Sequence, residues 1–228
     1  MEETTETKFA TDDVRVQLAK DVLTQLGEGK LCGVPRGNWF IGFPKPDAER
    51  LYESMHMVEG DLGESAFSTY DDPLYADLDE DDVPASLAAK QDEDYWIVGT
   101  RGECFGNFRA SETLLALDLQ EILLKMPTCE VCAVGSLVVA AARRFDNMKL
   151  ELLEHRGVFT ALEPYFSKGQ AMIIEAAYEG DRGGSHSVEC LAASKLWPDT
   201  ATGSYRLQLV MENIIANNGT FVVEEKTS

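Results

Sequence analysis

Basic residues are scarce in this sequence. It contains 20 lysine and arginine residues against 40 aspartate and glutamate residues, which gives a formal net charge of −20 at pH 7. A chain with this balance repels nucleic acid and anionic membrane surfaces, and it is attracted to basic surfaces. The charge therefore argues against direct binding of nucleic acid or membranes and predicts a basic partner. The alternative is that the charge serves only solubility.

The sequence also lacks long hydrophobic runs. No segment reaches the roughly 18 uninterrupted apolar residues that a membrane-spanning helix requires. The first residues, MEETTETKFA, are acidic and polar where a secretory signal has a basic start and an apolar stretch. We therefore expect a cytoplasmic protein.

Cysteine and histidine are few, with five and three residues respectively. An odd number of cysteines without an export signal argues against a disulfide framework, so we expect reduced thiols. Cys129 and Cys132 form a C-x-x-C pair at the start of an apolar segment. A thioredoxin-like redox site would need a strand leading into the following helix, whereas the sequence predicts a helix and then Pro127 before this pair.

A zinc site on this pair would need two further ligands. His186 and Cys190 lie four residues apart and share one face if their segment is helical. Their large sequence distance from Cys129 and Cys132 favours the alternative that the thiols pack as small apolar side chains. The sequence therefore predicts no cofactor, and a small zinc-binding or metal-dependent protein using these four residues is the alternative function.

Catalytic motifs are absent as well. Ser136 lies in VGSLV, which lacks the second glycine of a nucleophile elbow. The glycines of GTRGECFGNF neither fit the dinucleotide-binding pattern nor lead directly into a helix. We therefore expect a protein that is not an enzyme.

Helical periodicity is present along much of the chain. It predicts about seven helices, while the stretches 30–43 and 95–102 predict a small β hairpin or short sheet. The fold class is therefore mainly α with a minor β element, with α+β as the alternative. The predicted helical segments are 11–27, 111–126, 129–145, 157–166, 167–180, 185–197 and 203–219.

Changes in composition divide the chain into three parts within one predicted domain. Residues 1–43 form an N-terminal helix and short strands, residues 44–95 an acidic insertion, and residues 96–228 a helical core. The apolar faces of LVVAAA (137–142) and AMIIEAA (171–177) exceed what the pairing of predicted helices buries. They suggest a homodimer.

The acidic residues are concentrated between Tyr70 and Tyr95. This window holds ten acidic residues and one basic residue, so it contributes −9 of the total charge of −20. Four acidic residues in a row, Asp79 to Asp82, approach the charge density of duplex DNA, which carries one negative charge per roughly 1.7 Å of its axis. The window therefore predicts a contact surface for a basic groove.

A calcium loop is the competing interpretation of the same window. Asp77, Asp79 and Asp81 have the alternating spacing that begins an EF-hand loop. However, Asp82 stands where the loop needs glycine, and Ala88 stands where it needs a bidentate glutamate. We therefore favour a partner-binding surface. The candidate partner-binding residues are Asp71, Asp72, Tyr75, Asp77, Asp79, Glu80, Asp81, Asp82, Asp92, Glu93 and Asp94.

Aromatic residues accompany the acidic ones. Tyr70 and Tyr75 are expected to face outward, where aromatic side chains ringed by charge act as interface anchors. Strand residues near the window are expected to pack on the core instead. They are Trp39, Phe40, Trp96 and Ile97.

Two segments, MPTCEVCAVGSLVVAAARRF (126–145) and YRLQLVMENIIANNGTFVVEE (205–225), resemble segments of small proteins encoded by bacteriophages and prophages. The resemblance carries no catalytic signature and implies a phage context inside a bacterial cell. Combined with the acidic window, it leads to the main hypothesis. The chain is expected to be a phage-encoded inhibitor that blocks a basic, nucleic-acid-binding surface of a bacterial defence or nucleic-acid-handling protein by charge mimicry.

Overall fold

Helices dominate the fold. The structure, a computed structural model, describes residues 12–35, 40–44, 47, 50, 67–69, 95–98, 108–110, 118–145, 158, 160–180, 187–197 and 202–223. The helices with defined bounds are α1 (Asp12–Gly27), α2 (Leu119–Lys125), α3 (Ala133–Phe145), α4 (Lys168–Glu179), α5 (Val188–Ser194) and α6 (Gly203–Ala216). The prediction of a mainly α fold with a small sheet is confirmed.

Helix α3 is the centre of the core. Every residue from Ala133 to Ala142 is buried, and the helix packs against α1, α2 and α4. This position agrees with its sequence, because a helix that is apolar nearly all round needs neighbours on every side. The apolar face of α3 that suggested a homodimer is covered within the chain itself.

The described residues also form six short strands. They are β1 (Leu31–Gly33), β2 (Ile41–Pro44), β3 (Phe67–Thr69), β4 (Tyr95–Val98), β5 (Phe108–Ala110) and β6 (Cys129–Val131). Four of them form a sheet in the order β1-β6-β2-β4, in which β6 runs parallel to β1 and antiparallel to β2, and β4 runs antiparallel to β2. Strands β3 and β5 form a separate antiparallel pair.

Strand β6 corrects two details of the sequence analysis. The segment 129–145 was predicted as one helix, but its first three residues form a strand whose Cys129 and Val131 are buried on either side of a partly exposed Glu130. This alternation is that of a strand with one buried face. Because β6 lies between β1 and β2, those two strands do not pair as a hairpin.

Helix α2 begins after Asp118, whose backbone is extended. The backbone N–H of Asp118 donates a hydrogen bond to Glu121 Oε2 at 3.3 Å. Asp118 and Glu121 have the spacing of a capping box, which is typical of a helix start. Ser111, the predicted N-cap of this segment, lies outside the described residues.

The two ends of the described chain share one core. Leu18 and Val22 of α1 belong to the same buried cluster as Val210 and Ile214 of α6. Helix α6 stops as predicted, because Gly219 has a φ of 90° and its N–H donates to the carbonyl of Ile214 at 2.8 Å. Among the helices that the structure describes, none is long and apolar enough to cross a membrane.

Candidate functional site

The acidic window lies, in sequence, between strands of two different sheets. Its candidate partner-binding residues, all between 71 and 94, lie outside the described residues, but the strands on both sides of the window are described. Strand β3 ends at Thr69, and β4 begins at Tyr95. Strand β4 is the last strand in the order of the four-stranded sheet. The window therefore leads from the β3–β5 pair into an edge strand of the larger sheet.

Negative charge is concentrated in the acidic window. The 25 residues of the window 70–94 carry −9, whereas the other 203 residues of the chain together carry −11. Per residue, the window is thus more than six times as acidic as the rest of the chain.

Among the residues near the window that were expected to pack on the core, burial is confirmed for Phe40, and Trp96 and Ile97 are strand residues. Phe40 is buried next to β2, and Phe43 within β2 is buried as well. Trp96 and Ile97 lie in β4, opposite Phe43 and Gly42 respectively. Trp39, Tyr70 and Tyr75 lie outside the described residues, so the outward orientation of the two tyrosines stays a prediction.

The C-x-x-C pair spans the junction between β6 and α3. A strand therefore does lead into the helix, contrary to the sequence analysis, but it contains Cys129 itself rather than ending before the pair. Both thiols are buried. Burial raises the pKa of Cys129 to about 12, although the nearby Arg143 acts in the opposite direction. Such a thiol stays protonated at neutral pH, which is the reverse of a reactive redox cysteine.

The second half of the predicted zinc site is not assembled in the described part of the chain. Cys190 is buried in α5, but the helix begins at Val188 after the extended N-cap Ser187, so His186 precedes it and lies outside the described residues. The helical face expected to join His186 and Cys190 is not part of this helix. Among the described residues, no group of three or more histidine, cysteine, aspartate or glutamate side chains is placed to hold a metal ion.

Zinc content is a direct test of the four-ligand hypothesis. We expect protein purified without added metal to contain less than about a tenth of an equivalent of zinc, because zinc needs thiolate ligands and burial keeps the thiols of Cys129 and Cys132 protonated. Elemental analysis of the purified protein measures this. About one equivalent of zinc would contradict the expectation and would favour a site completed by His186 and Cys190.

The buried start of α3 is the most unusual polar feature of the core. Four backbone N–H groups at a helix start lack partners within the helix and need others when they are buried. The Cys132 sulfur accepts hydrogen bonds from the N–H groups of Phe40 and Gly135, at 3.3 and 3.2 Å. Cys132 therefore caps α3 and ties it to the residue preceding β2.

A carboxyl group from α4 completes this cap. Glu175 Oε2 accepts a hydrogen bond from the N–H of Val134 at 3.1 Å. Glu179, four residues further along α4, is also buried, and both side chains belong to the inner face of the helix. Tyr178 lies between them in sequence and donates its hydroxyl to the carbonyl of Val131 at 3.3 Å. These polar contacts hold α4 against β6 and the first turn of α3.

The environment of these groups disfavours their charged forms. Burial, followed by the neighbouring Glu179 carboxyl, raises the pKa of Glu175 well above its ordinary value, while the hydrogen bonds from Val134 and Cys132 lower it. Burial also raises the pKa of the Cys132 thiol, and the nearby Glu175 carboxyl raises it further. The sequence analysis did not identify Glu175 or Glu179, because acidic residues on a helix are ordinarily assigned to its solvent face.

Arg206 is a second buried polar group that the sequence analysis did not identify. It belongs to α6 and is only 3% exposed. Its Nη1 donates to the carbonyl of Tyr178 at 3.1 Å, and its Nη2 donates to the carbonyl of Trp197 at 2.8 Å. The first acceptor lies in the last turn of α4, where carbonyls lack partners within the helix and a cation is favoured. Arg206 therefore joins three elements at one point.

The chain matches no protein-family model, no curated protein and no solved structure. The resemblance of residues 126–145 and 205–225 to phage and prophage proteins therefore stays a prediction. Two features of the molecule itself bear on its function. They are the concentration of negative charge in the window 70–94, and the buried polar contacts between α3, α4 and α6.

Proposed function

We propose that this chain is an acidic binding protein without enzymatic activity, which presents the window 70–94 to a basic, nucleic-acid-binding surface of a bacterial protein and blocks that surface by charge mimicry. The observation that carries the proposal is the concentration of charge in this window. Its 25 residues carry −9, whereas the other 203 residues of the chain carry −11. Charge needed only for solubility does not have to be concentrated in this way.

Physical chemistry favours a basic groove as the counterpart of such a window. Carboxylates held at a spacing similar to that of phosphates attract a channel built for nucleic acid and need no specific side-chain chemistry to do so. The attraction accelerates encounter more than it deepens affinity. Strands β3 and β4 supply support, because they stand before and after the window and each is paired with another strand. Anchored ends reduce the entropy that the window loses when it binds.

The resemblance to phage and prophage proteins gives this proposal a biological setting. A phage-encoded protein of this kind acts in the cytoplasm of the bacterial host, and its target there is a defence or nucleic-acid-handling protein. The proposed partner surface is one that normally holds a nucleic-acid backbone. Duplex DNA is therefore the natural competitor for binding.

Charge reversal within the window tests the proposal. We expect Asp79→Lys, Asp81→Lys and Asp82→Lys together to weaken binding to the partner by about tenfold or more, because three attractive contacts become repulsive. The measurement is a pull-down from bacterial lysate eluted by a salt gradient, followed by titration of the isolated partner. Added duplex DNA is expected to displace the wild-type protein. Deletion of residues 70–94 is expected to abolish capture.

A matched control separates position from total charge. Glu28, Glu163 and Glu212 are exposed residues outside the window, and changing all three to lysine alters the net charge by the same amount. We expect this control to retain the partner and most of the salt dependence of binding. Equal weakening by both triple variants, or an unchanged set of partners after the deletion, would reduce the window to a source of solubility and would reject the proposal.

A further inference from the structure

Two buried carboxyl groups, those of Glu175 and Glu179, lie one turn apart on the inner face of α4. Glu175 Oε2 accepts a hydrogen bond from the N–H of Val134, whereas Glu175 Oε1 is also buried and has no hydrogen-bond partner among the described residues. Glu175 and Glu179 are 5% and 2% exposed. A bare carboxylate oxygen in such a place is far less favourable than a neutral carboxyl, because burying charge without a compensating partner is strongly unfavourable. The geometry is that of a carboxyl group that holds a proton.

The neighbouring elements reinforce this conclusion. Cys132, the residue before α3, places its thiol beside the Glu175 carboxyl. The other titratable groups of this cluster are Tyr178 of α4 and, beside Tyr178, Cys32 of β1. From α6, Arg206 directs its Nη1 and Nη2 to backbone carbonyls. The buried titratable residue of α5 is Cys190. In the described surroundings, the contacts of Glu175 are thus one backbone N–H, one thiol and a second carboxyl group.

We propose that Glu175 is protonated at neutral pH and that the Glu175–Glu179 pair is a pH-sensitive clamp between α4 and the first turn of α3. With a proton on Glu175, the pair is compatible with burial and holds the two helices together. When Glu175 loses this proton, two negative charges lie side by side in the core, and α4 loosens from α3. The clamp is independent of the acidic window and of the function proposed for it.

The direction of the pH dependence follows from the difference between the folded and unfolded chain. In the unfolded chain Glu175 ionises near its ordinary pKa of 4.5, whereas in the folded chain its pKa lies well above that value. The folded chain therefore binds the extra proton in the interval between the two values. Its contribution to stability is fully present below the unfolded pKa and is lost as the pH rises through the folded pKa.

Replacing Glu175 with glutamine tests the clamp. Glutamine keeps an acceptor for the N–H of Val134 and cannot ionise. We expect Glu175→Gln to be relatively insensitive to pH, so that the wild-type unfolding constant rises relative to that of the variant by up to about tenfold per pH unit in the titration interval. Thermal and denaturant unfolding from pH 4.5 to pH 9 measure this ratio. Glu163→Gln, at an exposed glutamate, is the control and should follow the wild type.

Infrared spectroscopy gives a second readout that does not depend on the stability of a variant. We expect the wild-type protein at neutral pH to show the carbonyl band of a protonated carboxyl group, which disappears as the pH is raised and is missing in Glu175→Gln but present in Glu163→Gln. Lack of this band in the folded wild type at neutral pH would overturn the proposal. Parallel pH profiles of wild type and Glu175→Gln would overturn it as well. If Glu175→Gln does not fold, the infrared titration of the wild type decides alone.

Discussion

Replacing Arg206 with methionine is expected to destabilise the protein by about 3–5 kcal/mol, since two hydrogen bonds from a charged donor are lost and their buried acceptors stay behind. Those acceptors are the carbonyls of Tyr178 and Trp197. Methionine preserves most of the length of the side chain, so the loss reports on the polar contacts more than on packing. Equilibrium unfolding in urea, monitored by circular dichroism, measures the change in the free energy of unfolding.

Arg206→Lys is the matched variant for this experiment. Lysine retains the positive charge, but its single ammonium group lacks the planar fork that reaches two carbonyls in different elements. We expect it to recover only part of the lost stability. If Arg206→Met lowers the free energy of unfolding by less than about 1 kcal/mol, in the range of an ordinary single hydrogen bond, the two hydrogen bonds of Arg206 do not hold α4, α6 and the turn after α5 together.

The second large effect is expected at Gly135 in the first turn of α3. A β-carbon at this position would collide with the backbone carbonyl oxygen of Phe40. A backbone carbonyl cannot rotate out of the way as the end of a flexible side chain can. The methyl group that Gly135→Ala introduces therefore has to displace α3 from the sheet. Overpacking of this kind costs typically about 1–3 kcal/mol and sometimes more. The free energy of unfolding and the near-ultraviolet circular dichroism are the appropriate measurements.

Gly169 provides the control for Gly135. It also lies in the first turn of a helix, α4, but a β-carbon there would meet nothing within 4 Å. Gly169→Ala is therefore expected to stabilise the protein by about 0.5–1 kcal/mol, because alanine restricts the unfolded chain and favours the helix. Equal effects of the two substitutions would show that α3 and Phe40 can separate without loss, which contradicts the packing described here.

The parts of the fold that the sequence predicts are those with a strong repeating pattern. Helix α3 is apolar on all sides and is found at the centre of the core. Helix α6 ends at the Asn-Asn-Gly stretch, where Gly219 adopts the left-handed backbone conformation that favours glycine. The prediction of a mainly α fold needed no information beyond these periodicities and their stops.

Long-range contacts account for what the sequence did not predict. Three residues, Cys129 to Val131, are too short to display a period, and they become a strand because β1 and β2 lie on either side of them. The burial of Glu175 depends on the approach of the first turn of α3, which no local pattern encodes. A possible signal was present in α4, where Ala171, Ala176 and Ala177 leave room for close neighbours on the face that carries this acid.

The acidic window was visible in the sequence from composition alone, because ten acidic residues and one basic residue fall within it. The structure adds the flanking strands, β3 and β4. The identity of a basic partner depends on a surface that belongs to another molecule. That part of the function therefore has no counterpart in the local chemistry of this chain.

The position of β6 between β1 and β2 has a consequence for synthesis on the ribosome. The two N-terminal strands emerge roughly a hundred residues before the strand that joins them, which at about 5–20 residues per second leaves them without it for roughly 5–20 s. The acidic window is made during this interval, before the central strand. The sheet is therefore completed only after the whole window has been made, and until then the edges of β1 and β2 that receive β6 have no partner from this strand.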